Sequence, residues 1–249
     1  MDLNGAVAVV TGGSGGLGGR ICRSLAAAGA KVAVLYDQGR EKAENLVDEL
    51  VAEGSVAEAI HCDVTDPDKV DAMVAQVLTS FGRLDILVND AGYNKWIPFD
   101  DIDALTYADW NKLIDVNLTG PMLTIKAASR PMKAQGGGRI VNISSVAGIA
   151  PTGSSIGYAV AKSGLIHLTK CMAVGLAPDI LVNCISPGYL EGTKMSMNLA
   201  PKYQKAAVEG SLLQRAADKD DIARQVVAFC ATDSITGQTL AIDSGRVFH

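Results

Sequence analysis

The sequence predicts an α/β fold: a single doubly wound parallel sheet of seven strands with helices on both faces. Three observations point there. Short apolar runs alternate with amphipathic stretches almost from end to end, most runs are near-continuous in Val, Ile and Leu, and no long linker or compositional break interrupts them. Such alternation builds β-α-β units, and strands covered by helices on both sides carry apolar residues throughout. One domain over residues 1–249 is expected.

The strands are expected at AVAVV (6–10), KVAVLY (31–36), VAEAIHC (56–62), LDILVN (84–89), GRIVNIS (138–144), ILVNCIS (180–186) and TLAID (239–243). Between them, EKAENLVDELVAEG and PDKVDAMVAQVLTSFG have helical apolar spacing and stop at glycine, a common helix terminator. The longest span poor in strand signal is about 189–217, containing MSMNLAPKY and KYQKAAVEGSLLQR. It follows a strand ending at SPG, so it should lie over the carboxyl edge of the sheet, where open α/β sheets bind ligands. A helical substrate lid is expected there, with a plain surface insertion as the alternative.

Composition narrows the function. Hydrophobic residues make up 48% and charged residues 20%, and 27 acidic against 22 basic residues give a formal net charge of −5. With no Lys/Arg block, neither nucleic acid nor an anionic membrane is an expected partner. Cys22, Cys62, Cys171, Cys184 and Cys230 show no CxxC spacing, and His61, His167 and His249 are few and separated. Buried thiols in a reducing compartment and no metal centre follow from that pattern. No apolar run reaches the ~18 residues of a membrane span, and MDLNG carries no basic leader. A soluble, cytoplasmic protein is expected.

TGGSGGLGGR (11–20) follows the first strand and opens the first helix. Glycines there permit a tight turn and let backbone N–H groups approach a pyrophosphate at a helix N-terminus. Two registers fit: Gly13-x-Gly15-x-x-Gly18, and Thr11-Gly12-x-x-x-Gly16-x-Gly18. Asp37 ends the second strand, where a carboxylate would bond an adenosine ribose 2′-OH and repel a 2′-phosphate. It favours NAD over NADP; the alternatives are that Asp37 caps the next helix, or that Arg40 meets a 2′-phosphate.

YAVAKSG (158–164) places Tyr158 and Lys162 one helical turn apart among small residues. A phenol titrates near ~10, and a cation within about 4–6 Å favours its phenolate. The pair therefore reads as an acid/base couple, the small residues as a means for the helix to approach the cofactor, and packing as the bland alternative. Apolar and small residues run nearly all round YAVAKSGLIHLTKCMAVGLA, which points to more than one buried face.

In order along the chain stand TGGSGGLG, CDV (62–64), NDAG (89–92), ISS before YAVAK, and SPG (186–188). On these motifs the whole sequence resembles the short-chain dehydrogenases/reductases of about 250 residues, and the Rossmann-like sheet agrees with them. The resemblance implies an oxidoreductase exchanging hydride between NAD or NADP and a ketone or secondary alcohol. It implies a tetrad: Asn117 supporting a water in a proton relay, Ser145 orienting the substrate oxygen, Tyr158 as general acid/base, and Lys162 holding the nicotinamide ribose and lowering the tyrosine's pKa. Read alone, Asn117 also suits a cap for the helix starting at LTGPM, and Ser145 a strand-end turn. The expected dinucleotide contacts are Gly12, Ser14, Gly16, Leu17, Gly18, Asp37, Asp63, Val64, Asn89, Ala91, Gly92, Tyr158, Lys162, Pro187, Gly188 and Thr193. Tyr93, Asn94, Trp96, Ile149, Thr152, Met195, Met197 and Leu199 are expected around the substrate, suiting a medium-sized, largely apolar ketone. Departures from the family pattern are Asp90 where a second Asn is usual, a residue fewer in LAPDILVN, an extra residue before Thr193, and DSG at 243–245. Similar proteins are commonly homotetramers. The runner-up activities are an NADPH-dependent 3-oxoacyl-thioester reductase of lipid synthesis and a non-catalytic dinucleotide-binding regulator.

Overall fold

The computed structural model describes residues 1–248. Seven strands form: β1 (Val7–Thr11), β2 (Lys31–Tyr36), β3 (Ala57–His61), β4 (Ile86–Asn89), β5 (Gly138–Ile143), β6 (Ile180–Pro187) and β7 (Thr239–Ile242). They pair in the order β3-β2-β1-β4-β5-β6-β7, every pair parallel. The helices are α1 (Gly18–Ala27), α2 (Arg40–Ala52), α3 (Pro67–Phe81), α4 (Tyr107–Ile114), α5 (Gly120–Ala134), α6 (Ile156–Leu176), α7 (Lys194–Met197), α8 (Pro201–Glu209) and α9 (Lys219–Ala231).

Strand alternation divides the interior into two layers. Ala8 and Val10 of β1 join one core with Ile21 and Leu25 of α1, Leu46 and Leu50 of α2, and Val226 and Phe229 of α9. Val7 and Val9 face the other, with Val70 and Val77 of α3, Ile125 and Met132 of α5, and Ala173 of α6. Both faces of the central strands are buried, which is why their sequences are apolar without a polar alternate.

Local chemistry sets the helix ends. Asp66 caps α3, its carboxylate accepting from the Asp68 and Lys69 N–H groups, Pro67 occupies the first turn, and Gly82 ends the helix at φ 80°. Ser155 caps α6 by accepting the Tyr158 N–H at 3.3 Å. Residues 107–134 run on through α4, a wider π turn over Asp115–Thr119, and α5. Pro121 has no N–H to offer residue 117, and the shift to longer bonds, with Gly120 N–H reaching the Asp115 carbonyl, carries the helix past it. Asn117 therefore lies inside a continuous helix and caps nothing.

The glycines of α6 meet leucines rather than the ligand cleft. A Cβ at Gly157 would lie 2.9 Å from Leu113 Cδ1, and one at Gly164 2.9 Å from Leu118 Cδ2. Gly157 and Gly164 thus let the 107–134 helix pack closely on α6.

The chain builds β1, β2 and β3 outward on one side, then crosses to β4 on the other. The turns leaving β1 and β4 diverge, which opens a crevice at the carboxyl edge of the sheet. Tyr189, Leu190, Thr193, Met195, Leu199 and Tyr203, from the stretch that carries α7 and α8, line it.

Candidate active site

One cleft of about 480 Å³ opens at that edge. Its floor begins at the turn after β1. Gly12, Ser14, Gly15, Gly16 and Leu17 line it, whereas Gly13 turns inward, its N–H donating to Leu35 O at 2.9 Å. A Cβ on Gly13 would lie 2.9 Å from Val34 Cγ1. The register that faces the cleft is therefore Thr11-Gly12-x-x-x-Gly16-x-Gly18. Gly12 needs its glycine for a φ of 66°. Gly18 is absent from the lining and serves by close approach, since a Cβ there would collide with the Gly12 carbonyl oxygen. Thr11 Oγ1 accepts from the Asp90 and Ala91 N–H groups, each at 3.0 Å, and so ties the turn to the end of β4.

Asp37, Asp63, Val64, Ala91 and Gly92 all reach the cleft. Asp37 is exposed and caps nothing, because the residue before α2 is Gly39, without a side-chain cap. Arg40 is committed to Glu44 at 2.7 Å. Asp63 accepts from the Thr65 N–H and hydroxyl, which hold its carboxyl below the usual range. Pro187 and Gly188 line the opposite wall with Thr193. Despite its extra preceding residue, Thr193 arrives at the glycine turn, its Cγ2 3.5 Å from where a Cβ on Gly16 would stand.

Two expected contacts lie behind the wall. Asn89 is buried in a polar chain, donating to Asn142 Oδ1 at 2.9 Å and accepting from Thr124 Oγ1 at 2.7 Å. It braces β4 against β5 and α5 and does not line the cleft. Asn117 is also buried outside the lining; it donates to the Tyr93 and Leu113 carbonyls at 2.7 and 2.8 Å and accepts the Tyr93 N–H at 3.2 Å. Its side chain positions the loop that carries Gly92 and Tyr93.

Ser145, Tyr158 and Lys162 do meet in the cleft. Ser145 lines the cleft together with Tyr158, and its hydroxyl accepts the Ala147 N–H at 3.1 Å, which orients it. Lys162 is 3% exposed, donates to Ile143 O at 2.9 Å, and its Nζ lies 5.8 Å from the centre of the Tyr158 ring. The expected lowering of the phenol by this lysine is corrected. Burial pushes Tyr158 up to about 12, with Ser145 pulling the other way, and burial takes Lys162 down to about 8. Asp90, half-buried, has Oδ2 2.9 Å from where a Cβ on Gly18 would stand, and is pushed up to about 7 by desolvation against the pull of Lys162.

On the substrate side, Tyr93, Asn94, Thr152, Met195 and Leu199 line the wall as expected. Trp96, Ile149 and Met197 do not: Trp96 packs edge-on to Tyr203 at 5.3 Å between ring centres, and Met197 is exposed. Ser154, Tyr189, Tyr203, Ala207 and Arg246 join the lining instead. The Tyr203 hydroxyl stands 2.8 Å from Thr152 Oγ1 and accepts the Gly153 N–H at 2.8 Å, fastening α8 to the loop before Tyr158. Asn94 fastens α7, donating to Met195 O at 2.9 Å and accepting from Asn198 at 3.0 Å. Only the position of Tyr203 in the lid segment hinted at it in sequence, and Arg246 carried no local pattern.

The short chain dehydrogenase family model matches residues 6–204. The chain belongs to the short-chain dehydrogenase family. Among its relatives, a 3-oxoacyl-[acyl-carrier-protein] reductase of Synechocystis sp. is 38% identical, with 98% of each chain covered. A 3-alpha-(or 20-beta)-hydroxysteroid dehydrogenase of Mycobacterium bovis is 36% identical over 98% of this chain and 90% of its own. Among solved structures, a blue fluorescent protein from a metagenomic library, in complex with NADPH, superposes with a TM-score of 0.90 at 34% identity over 100% of both chains. This short-chain dehydrogenase is thus an oxidoreductase of a family that binds a nicotinamide dinucleotide. The glycine turn, where Gly12, Gly15 and Gly16 present bare backbone to the cleft, suits that group.

Four of its five cysteines are buried. Burial raises the thiols of Cys22, Cys62, Cys184 and Cys230, which makes them poor nucleophiles. Among the described residues, no helix is long and apolar enough to cross a membrane, and no three His, Cys, Asp or Glu converge as metal ligands.

Proposed function

We propose that this short-chain dehydrogenase interconverts a ketone and a secondary alcohol with Tyr158 as general acid/base. The carrying observation is the convergence of Ser145, Tyr158 and Lys162 on one cleft wall, with the Lys162 Nζ 5.8 Å from the centre of the Tyr158 ring. A nicotinamide held beside Tyr158, Lys162, Pro187 and Gly188 would supply or accept the hydride, and its positive charge in the alcohol-oxidising direction would favour phenolate. Ser145 donates to the substrate oxygen and stabilises developing alkoxide. Tyr158 gives that oxygen its proton in reduction and removes it in oxidation. Lys162, held by Ile143 O, is placed to bind a ribose hydroxyl, and Asn117 keeps the Gly92–Tyr93 wall in position.

Gly12, Ser14, Gly16 and Leu17 would hold the pyrophosphate, and Asp63 and Val64 would edge the adenine. Asp37 supports NAD(H), since its carboxylate lines the cleft, with His61 Nε2 3.9 Å from its Oδ1. The solved neighbours give that preference no support: besides the NADPH complex, an NADPH-dependent 3-quinuclidinone reductase of Rhodotorula rubra superposes with a TM-score of 0.89 at 26% identity over 98% of this chain and 92% of its own. The relatives also favour a second reading, reduction of 3-oxoacyl thioesters with NADPH. Parallel assays of ketones, secondary alcohols and 3-oxoacyl thioesters with both dinucleotides decide between them, and Asp37→Ala should narrow any NADH preference. Tyr158→Phe should cut turnover roughly 10²- to 10⁴-fold while leaving dinucleotide binding close to wild type. Continued turnover in that variant refutes the acid/base assignment.

Exposed Val160 and Val174 on α6 support a homotetramer, which mass photometry at micromolar concentration checks. The buried thiols suit a cytoplasmic setting.

A further inference from the structure

We propose that Arg246 selects a substrate carrying an anionic group, a carboxylate or a phosphate, several bonds from its reacting carbon. This rests on the ketone/alcohol reading and names the substrate class for the same site.

The charges lining the cleft are unevenly placed. Its carboxylates, Asp37, Asp63 and Asp90, stand around the dinucleotide half. Lys112 shares a side recess with Asp37 and Asp63, Lys162 lies behind Tyr158, and Lys194 follows Thr193 at the glycine turn. Around Tyr189, Leu199, Tyr203 and Ala207 the lining is neutral except for Arg246.

Arg246 is a built feature rather than a loose tail side chain. Its Nη1 donates to Ala206 O at 2.9 Å and Ala207 O at 3.2 Å, the last turn of α8. Gly210 leaves room for it, since a Cβ there would collide with Nη1. The backbone on either side is pinned: the Asp243 carboxylate accepts from the Gly245 and Val247 N–H groups at 2.9 and 2.7 Å, and Leu212 and Leu213 donate to the Gly245 and Ser244 carbonyls at 3.2 and 3.0 Å. Among the described residues Arg246, like Arg130 and Arg215, has no carboxylate partner, whereas Arg20, Arg23, Arg40, Arg83, Arg139 and Arg224 each pair with one. A guanidinium has five N–H donors, and the two carbonyls engage only one nitrogen.

The wall from the reacting centre to Arg246 is continuous. A Cβ at Gly153 would stand 3.3 Å from the Tyr158 ring, the Gly153 N–H donates to the Tyr203 hydroxyl, and Ala207 lies one turn further along α8. One turn is ~6 Å of rise, so an anion at Arg246 belongs to the far end of a substrate whose carbonyl meets Ser145 and Tyr158. Capping the α8 carbonyls explains the Nη1 bonds, but a cap alone has no preference among substrates.

The test uses three probes: 5-oxohexanoate, its methyl ester, and the matching ketone ending in a phosphate ester, each with NADH and NADPH. At least one anionic probe should exceed the ester in kcat/KM, and the better one identifies the group. Arg246→Gln should cut that probe's kcat/KM advantage over the ester roughly 10- to 100-fold, the range of a charge-assisted bond, beyond any loss the two probes share. Arg246→Lys should keep part of the preference. Equal loss for acid and ester would mean that Arg246 only caps α8, and the inference falls. A binding measurement separates this from failure of the reaction itself: hexanoate and hexyl phosphate are titrated into dinucleotide-loaded protein by tryptophan fluorescence. Tight binding of one that is lost in Arg246→Gln upholds the anion site even if no ketone turns over. Binding of both that is indifferent to Arg246 overturns it.

Discussion

The two halves of the cleft are built by different means. The dinucleotide half is made of backbone: the turn after β1, the ends of β3 and β4, and the start of the loop after β6, all fixed by the parallel ladder beneath them. The substrate half hangs on side-chain hydrogen bonds, Tyr203 to Thr152 and Gly153, Asn94 to Met195 and Asn198, and Arg246 to α8. A backbone cradle tolerates almost no added atom. A side-chain clasp can change length and polarity without disturbing the sheet, which is how one fold accommodates many substrates.

Gly18→Ala attacks the first half hardest. Its Cβ would press on the Gly12 carbonyl and stand 2.9 Å from Asp90 Oδ2, with the sheet leaving the turn no route of retreat. Overpacking of this kind costs ~1–3 kcal/mol, so the dinucleotide dissociation constant should rise roughly 10- to 100-fold. Titration by NADH fluorescence measures it. Wild-type affinity in the variant would show that the turn is not the rigid cradle described.

The same contrast explains what could be read from the sequence. The five inner strands were legible because burial on both faces demands apolar runs; the edge strands β3 and β7, only partly buried, carry the weaker runs AEAIH and TLAI. The glycine turn and the Tyr158–Lys162 pair were legible because backbone clearance and a helical turn impose fixed local spacing. Residue type alone did not reveal direction. Asn89 and Asn117 stand beside the cleft in sequence, yet their amides turn away to Asn142, Thr124 and Tyr93. The choice between glycine registers likewise depended on which side of the turn Val34 occupies. In the substrate half, Trp96 was displaced from the lining and Tyr203 and Arg246 took part through contacts spanning about 40 to 50 positions. No local pattern encodes those meetings.

Tyr203→Phe tests the clasp. The variant keeps the ring against Trp96 and loses the hydroxyl that engages Thr152 and Gly153. Hydrogen bonds of this sort are worth ~1 kcal/mol each, so KM for the ketone should rise by up to about tenfold with dinucleotide affinity unchanged. Steady-state kinetics beside a binding titration gives both values. An equal rise in both would mean that the halves act as one unit.

Asp90 sits where the halves join, and its effect should be the smallest and the most dependent on pH. Its carboxylate lies against Gly18, with Oδ2 2.9 Å from where a Cβ there would stand, and its charge is felt by Lys162 on α6, Tyr158 and the Cys22 thiol of α1. In the unfolded chain its carboxyl titrates near ~4, against about 7 in the fold. Folding therefore takes up a proton between those values, and stability falls as pH rises through that window. Asp90→Asn removes this dependence, so its melting temperature should hold steadier than the wild type's from pH 5 to pH 7.5. Above about pH 7 the ionised carboxylate also competes with a pyrophosphate for the N-terminus of α1. Wild-type dinucleotide affinity should then weaken a few-fold between pH 6 and 8, by like-charge repulsion near the turn, while the asparagine variant stays flat. Parallel slopes in the two proteins would place the titrating group elsewhere and leave the join between the halves electrically neutral.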